Sequence, residues 1–201
     1  FDVEGTNHVH VSSSTGTTTL TADNMGFGGA SGNMFSLNRT NENLTINIES
    51  ASAPGDLNLW GGAGKDNISV TGTHAAFEVT WYGYESDDYL NIASTISGND
   101  LLVGASGDDT INSSGGNDTI YGGDGADTID GGAGADLIYG DNKARNATET
   151  GNDILSGGDG NDTILAGFGN DRVNGGNDDD IIAGDDGEDI LYGDGGNDTI
   201  Y

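Results

Sequence analysis

The 201-residue chain has no cysteine, a single proline (Pro54), and five basic residues: Arg39, Lys65, Lys143, Arg145 and Arg172. Without cysteine it has no disulfide framework and no thiolate metal site. No apolar run approaches the length of a membrane-spanning helix, and no charged-then-apolar signal peptide opens the chain. The formal net charge of −29 excludes nucleic acid, acidic polysaccharide and acidic lipid as partners, because each would be repelled. Only 33% of the residues are hydrophobic, and no stretch shows helical periodicity. There are 37 glycines, but they do not follow the Gly-X-Y period of a triple helix. The chain opens at Phe1 and stops at Tyr201 in mid-rhythm. It therefore reads as a piece of a larger protein, with targeting signals expected outside it.

What the sequence does hold is glycine, aspartate and asparagine in a strict order. The carboxylates and carbonyls are oxygen donors, which suit hard cations such as calcium. Eleven nonamers start at residues 95, 104, 113, 122, 131, 148, 157, 166, 175, 184 and 193. Their sixth position is always aspartate: Asp100, Asp109, Asp118, Asp127, Asp136, Asp153, Asp162, Asp171, Asp180, Asp189 and Asp198. Their eighth is always aliphatic, from Leu102 and Ile111 through Ile200, and their fourth is glycine except at Asp178. The phase breaks once, at "GDNKARNATETGND" (140–153), where eight extra residues read as one expanded turn with an inserted loop at about 142–149. Paired glycines permit positive φ and leave carbonyls free to converge. The following triplet places one side chain inward and two outward, as a strand requires.

This pattern resembles the GGxGxDxUx nonamer of the RTX (repeats-in-toxin) calcium-binding family. The resemblance implies an all-β fold: a right-handed parallel β-roll, or β-solenoid, with two nonamers per coil. Each six-residue turn would bind Ca²⁺ through its aspartate and backbone carbonyls, so the eleven sixth-position aspartates become the expected metal ligands. It also implies type I export of an unfolded bacterial chain that folds on meeting external calcium. The energetics agree, because one buried aliphatic side chain per nonamer cannot offset the ordering of nine backbones. Ions between successive turns would supply the difference and cancel the repulsion of stacked carboxylates.

Residues 1–94 are less regular. "GGAGKDNIS" (61–69) is a full nonamer with Asp66 and Ile68 in register, and "GYESDDYLN" (83–91) keeps Asp88 and Leu90 but has Ser86 at the fourth position. Asp66 and Asp88 join the expected metal ligands. "NLTINIE" (43–49), "DLNLW" (56–60), "FEVTWY" (77–82) and the threonine stretch "TGTTTLTA" (16–23) read as strands. We expect two parts: an irregular β-solenoid-like cap or continuation over 1–94, and the calcium roll over 95–201. A small separate β-sandwich ending near 94 is the alternative.

Several other features read as bland. His8 and His10 share a strand face without a third ligand, and His74 is isolated, so they are read as surface residues rather than a metal site. No HExxH or GxSxG motif is present, and carboxylate runs such as 178–180 are explained by the repeat rather than by an acid–base pair. The seventh-position threonines are interrupted by leucine, isoleucine and arginine, so strand propensity accounts for them better than a flat ice-binding row. Lys143 and Arg145 mark an exposed loop.

Two nonamers per coil would sort the outward ninth positions onto two faces. One carries Val103, Tyr121, Tyr139, Leu165, Ala183 and Tyr201, extended by Leu101, Leu137 and Ile181 at position seven; the other carries Asn112, Asp130, Ser156, Asn174 and Tyr192. Strand propensity of tyrosine and valine is one reading of this stripe. The other is a contact with another copy, a neighbouring domain or the N-terminal half, since propensity alone would not sort the two faces. The sequence thus predicts a non-catalytic, extracellular or cell-surface calcium-binding segment of adhesin, surface-layer or filament type. The alternative is an auxiliary domain of a secreted enzyme or toxin whose catalytic part lies elsewhere.

Overall fold

The structure, a computed structural model, describes residues 8–11, 17–21, 33–37, 43–48, 57–72, 77–141 and 151–201. For the strands before residue 49 it describes backbone pairing alone. Every regular element among the described residues is a strand, from His8–Val11 to Thr199–Ile200. Successive strands alternate between a ten-stranded and a nine-stranded sheet, and every pairing between neighbours is parallel. The chain is therefore a β-solenoid in which each coil adds one strand to each sheet.

The register has a simple cause. The triplets after each aspartate, such as Thr119-Ile120-Tyr121 and Thr128-Ile129-Asp130, are rich in β-branched and aromatic residues. Thr119 pairs with Leu101, Ile120 with Leu102 and Tyr121 with Val103, an offset of two nonamers. The middle residue of each triplet points inward. Leu102, Ile120, Ile138, Ile164 and Ile182 form one buried column; Ile111, Ile129, Leu155 and Val173 form the other. Outward residues keep the two-face sorting expected from the sequence: Val103, Tyr121, Tyr139, Leu165 and Ala183 follow one another in register. Asn112, Asp130, Ser156, Asn174 and Tyr192 do so on the other sheet.

Neither sheet breaks at residue 94. Val79–Glu85 pairs with Leu101–Ser106, and Tyr89–Ile92 pairs with Thr110–Asn112. The earlier strand runs, including Thr17–Thr21 and Asn43–Ile48, stack in the same two sheets rather than in a separate sandwich. The described N-terminal strands thus lengthen the two sheets: Trp60 and Tyr82 stand in register with Val103 in the same column.

What changes along the solenoid is the filling. The coils at 57–96 bury Leu57, Val70, Phe77, Val79, Ile92 and Ile96 besides the two central columns, which Leu59 and Trp81 continue on one side and Ile68 and Leu90 on the other. Beyond residue 100 the interior narrows to one aliphatic residue per triplet, and the remaining buried side chains are mostly aspartates.

Candidate metal centre

The sixth-position aspartates lie in two columns, one along each edge of the solenoid where the chain turns between sheets. Along one edge, the main-chain N–H of each aspartate donates to Oδ1 of the aspartate one coil later, from Asp100 to Asp118, Asp136, Asp162, Asp180 and Asp198, at 2.8–3.0 Å. Along the other, the same bond links Asp66, Asp88, Asp109, Asp127, Asp153, Asp171 and Asp189 at 2.7–2.9 Å. All thirteen aspartates singled out in the sequence therefore fall into these two ladders. Asp66 and Asp88 are fully inside despite their irregular surroundings, at 0% and 2% exposure. Asp189 and Asp198 are the half-buried members.

From Asp88 to Asp180, each ladder carboxylate has Oδ1 bonded and Oδ2 to spare. In every one of them Oδ2 is buried and has no hydrogen-bond partner. Leaving a carboxylate oxygen dry and unpaired is costly. The surroundings sharpen the cost. A Cβ placed on Gly122 would overlap both Asp127 Oδ2 and the carbonyl oxygen of Gly140, and one on Gly157 would overlap Asp162 Oδ2 and the Gly175 carbonyl. At these first-position glycines a carboxylate oxygen and a main-chain carbonyl oxygen from successive coils meet beside the Cα, while Ser113 and Ala166 hold the same position in other turns. Two converging oxygens without a proton between them call for a cation. A hard, oxygen-seeking divalent ion fits this donor set.

The electrostatics point the same way. Burial pushes the carboxyls of Asp100 and Asp127 up to about 8, and those of Asp88, Asp109, Asp136 and Asp153 to about 7; backbone hydrogen bonds oppose the shift, and neighbouring carboxylates add to it. Asp162 is raised to about 6 by the same burial. Without a cation these groups prefer to hold protons. Among the described residues no three His, Cys, Asp or Glu side chains gather at one point. That is consistent with the geometry, because each turn offers one inward carboxylate and draws its other donors from the main chain.

Three features escaped the sequence reading. Val79 stands where an aspartate would: its N–H donates to Asp100 Oδ1 at 2.7 Å, and it pairs with buried Leu57 one coil earlier. One carboxylate ladder therefore starts at Asp100, replaced before that by apolar side chains, while the other runs back to Asp66. Asp141, at the start of the expanded turn, is buried and accepts the Phe168 N–H through Oδ2. The fifth position forms an outer ladder in which Asn99, Asp108, Asn117, Asn152, Asn161 and Asn170 accept an N–H from the next coil. Its signal was legible, since the fifth position is Asn or Asp in eight of the eleven nonamers. The inserted loop 142–149, with Lys143 and Arg145, lies outside the described residues, as do His74 and the side chains of His8 and His10.

The fold and its turns define a class: a parallel β-solenoid with stacked carboxylates and carbonyls along both edges, built to hold divalent cations. The model of the RTX calcium-binding nonapeptide repeat matches in four copies, at residues 95–129, 113–142, 148–182 and 174–201, together just over half of the chain. The chain belongs to the RTX calcium-binding repeat family, and its repeats bind calcium. No curated protein matches the chain, and no solved structure does. No helix among the described residues is long and apolar enough to cross a membrane.

Proposed function

We propose that the chain is a non-catalytic, calcium-dependent structural segment of a secreted or cell-surface protein of adhesin, surface-layer or filament type. The observation that carries this reading is the ladder of unpartnered Oδ2 atoms, repeated in ten turns without interruption from Asp88 to Asp180. Calcium supplies the positive charge that those carboxylate oxygens require, beside the main-chain carbonyls that approach them. The thirteen ladder aspartates, Asp66 and Asp88 included, are the side-chain ligands; the glycines keep the carbonyls close. The chain's own contribution is to present one carboxylate per turn at a fixed spacing, so that each ion ties two coils together.

Extracellular concentrations of calcium match sites of this kind, whose affinities fall in the range of about 10⁻⁴–10⁻³ M. Such a segment stays unfolded where calcium is scarce and folds outside, which supports export from a bacterium by the type I route and a location on or beyond the cell surface. The roll over 95–201 is the calcium-dependent part, and 1–94 is its greasier continuation. The uncharged outer row through Val103, Tyr121, Tyr139, Leu165, Ala183 and Tyr201 is a packing surface, used for self-association; packing against a neighbouring domain is the outcome that a monomeric chain in calcium would favour. An auxiliary role beside a catalytic domain of a secreted enzyme or toxin is the second reading, and the parent gene distinguishes the two.

The test is a calcium titration of the chain followed by far-ultraviolet circular dichroism and calorimetry. The expected result is gain of β signal with several ions bound per chain, and a melting temperature that rises with free calcium by mass action. A full β-sheet spectrum in excess chelator at pH 8 or above, where the aspartates must ionise, would sink the proposal.

A further inference from the structure

Tyr121 and Tyr139 are direct partners in the register of adjacent coils. Their rings are parallel to within 3°, with centroids 4.8 Å apart, and both side chains are half-buried on the outer face. Among the seven tyrosines one other pair comes close: Tyr82 and Tyr84, two residues apart on one strand, at 6.3 Å and tilted by 34°. Val103 and Leu165 flank the stacked pair above and below in the same column. The pair is therefore confined along the solenoid and open to small molecules from the side.

We propose that Tyr121 and Tyr139 form an oxidative cross-linking site, joined as dityrosine by a peroxidase-type one-electron oxidant with hydrogen peroxide. Each phenol loses one electron and one proton to become a phenoxyl radical, whose unpaired spin resides on oxygen and on the ring carbons ortho to it. The two radicals form one carbon–carbon bond between ortho carbons. The two hydrogens on the joined carbons then move to the oxygens and restore both phenols. In balance, two tyrosines lose two hydrogen atoms, and one hydrogen peroxide takes up the two electrons and two protons to give two waters.

The fold supplies what this coupling needs. Two phenols are held face to face, so the second radical forms beside the first rather than after diffusion. The chain has no thiol to intercept either radical. The product would staple two coils covalently at the middle of the calcium roll, where hydrogen bonds and ions otherwise hold them. The staple rests on the stacked pair alone and not on the role proposed for the chain.

The experiment treats the whole chain in calcium, at low protein concentration, with a haem peroxidase and hydrogen peroxide. The expected product is a monomer lighter by two hydrogen atoms, with dityrosine fluorescence and a proteolytic peptide joining Tyr121 to Tyr139. In Tyr121→Phe or Tyr139→Phe, which keep the stacked rings, the yield falls by about tenfold or more as the proximity advantage is lost. Tyr82→Phe and Tyr84→Phe leave the yield unchanged. After oxidation, chelator should remove less of the β signal than it removes from the untreated chain. The proposal is overturned if the β-structured chain gives no 121–139 link, links Tyr82 to Tyr84 instead, or links only between chains. Equal yields with and without calcium, with the same β spectrum in both, would count against calcium-dependent folding and leave the staple standing.

Discussion

The main-chain N–H of Asp127 donates to Asp153 Oδ1 at 2.9 Å across 26 residues, where the preceding rung of the same ladder, Asp109 to Asp127, spans 18 at 2.8 Å. The other ladder crosses the same place in the same way, from Asp136 to Asp162 at 2.8 Å. Strand pairing also carries on, Tyr139 with Leu165 and Asp130 with Ser156. The rungs before Asp141 and after Gly151 thus stack as they do elsewhere in the solenoid, with eight additional residues in the sequence between them.

Deleting residues 142–149 should therefore be tolerated. The shortened turn would read Gly140-Asp141-Thr150-Gly151-Asn152-Asp153, six residues ending on the ladder aspartate. Closing a shorter loop costs slightly less chain entropy, by roughly 0.5 kcal/mol. Calcium stoichiometry and melting temperature measured on the deletion should match the parent within a few degrees. Loss of folding would show that the inserted residues are part of the turn.

The ladder also ranks single changes. Asp127 is 1% exposed, donates to Asp153 and accepts from Asp109, whereas Asp198 is half-buried and accepts from Asp180. Asp127→Asn and Asp136→Asn keep shape but remove the charge facing the spare-oxygen position. Each should cost about 2 kcal/mol in saturating calcium, of the order of a lost charged hydrogen bond, and Asp198→Asn clearly less. In chelator the order should narrow or reverse, because a buried amide is cheaper than a buried unpaired carboxylate. Melting curves for the three variants in both conditions check this; equal losses would argue against ions shared between coils.

Much of this arrangement was legible in the residues, for a physical reason. A nonamer in which one position must carry a carboxylate, one must be aliphatic and one must tolerate a left-handed backbone leaves few ways to err, so the ladders from Asp100 onward and the two-face sorting could be read directly. The N-terminal coils were harder. There, Leu57 and Val79 stand in the column that carboxylates occupy later, and apolar burial replaces ions without preserving any motif. Asp141 was hidden because its partner, the Phe168 N–H, is 27 residues away and appears only once the coils are stacked.

The fourth position shows what glycine does here. It is left-handed in nearly every turn, for example at Gly116 and Gly125, where a Cβ would also strike a carbonyl of the previous coil. Asp178 and Ser86 hold the same position with φ of 78° and 79°. Left-handed backbone costs a non-glycine residue about 1–2 kcal/mol, partly offset by the lower entropy of its unfolded chain. Asp178→Gly and Ser86→Gly should therefore stabilise the calcium-loaded roll, by about 1 kcal/mol each. Chemical denaturation midpoints in calcium would register this, and a loss of stability at both positions would show that these side chains serve the turn.

The raised carboxyl groups set the pH response. In the unfolded chain an aspartate titrates near 4, but in the metal-free roll burial holds Asp162 at about 6, Asp109 and Asp153 at about 7, and Asp100 and Asp127 at about 8. The metal-free fold thus binds more protons than the unfolded chain between pH 4 and 8. Its stability is fully present below the unfolded value and is lost as pH rises through 6 to 8. Calcium needs the same oxygens deprotonated, so its apparent affinity should climb over that interval and protons should be released on binding. Circular dichroism in chelator should show β signal recovering toward pH 4 to 5, while calcium midpoints fall toward pH 8. A metal-free chain that gains structure with rising pH would contradict the burial seen here.

The outer faces give the last expectation. In a chain of net charge −29, the column from Trp60 and Tyr82 through Val103, Tyr121, Tyr139 and Leu165 carries no charged side chain, whereas the opposite sheet turns Asp130 and Arg172 outward. One outer column is thus uncharged along its length, the surface on which the proposed association would rest. The aromatic stack covers part of its own surface, so the column is half-buried rather than bare, and a partner would gain from the remainder. Replacing Tyr121, Tyr139 and Leu165 together by serine should leave the calcium-dependent β signal in place, because all three point away from the core. It should weaken any concentration-dependent association seen by light scattering or sedimentation in calcium. Matched changes on the other face, Asn112→Ser with Asn174→Ser, should leave association intact. A parent chain that stays monomeric in calcium at every concentration would remove self-association from this face and leave a neighbouring domain as what covers it.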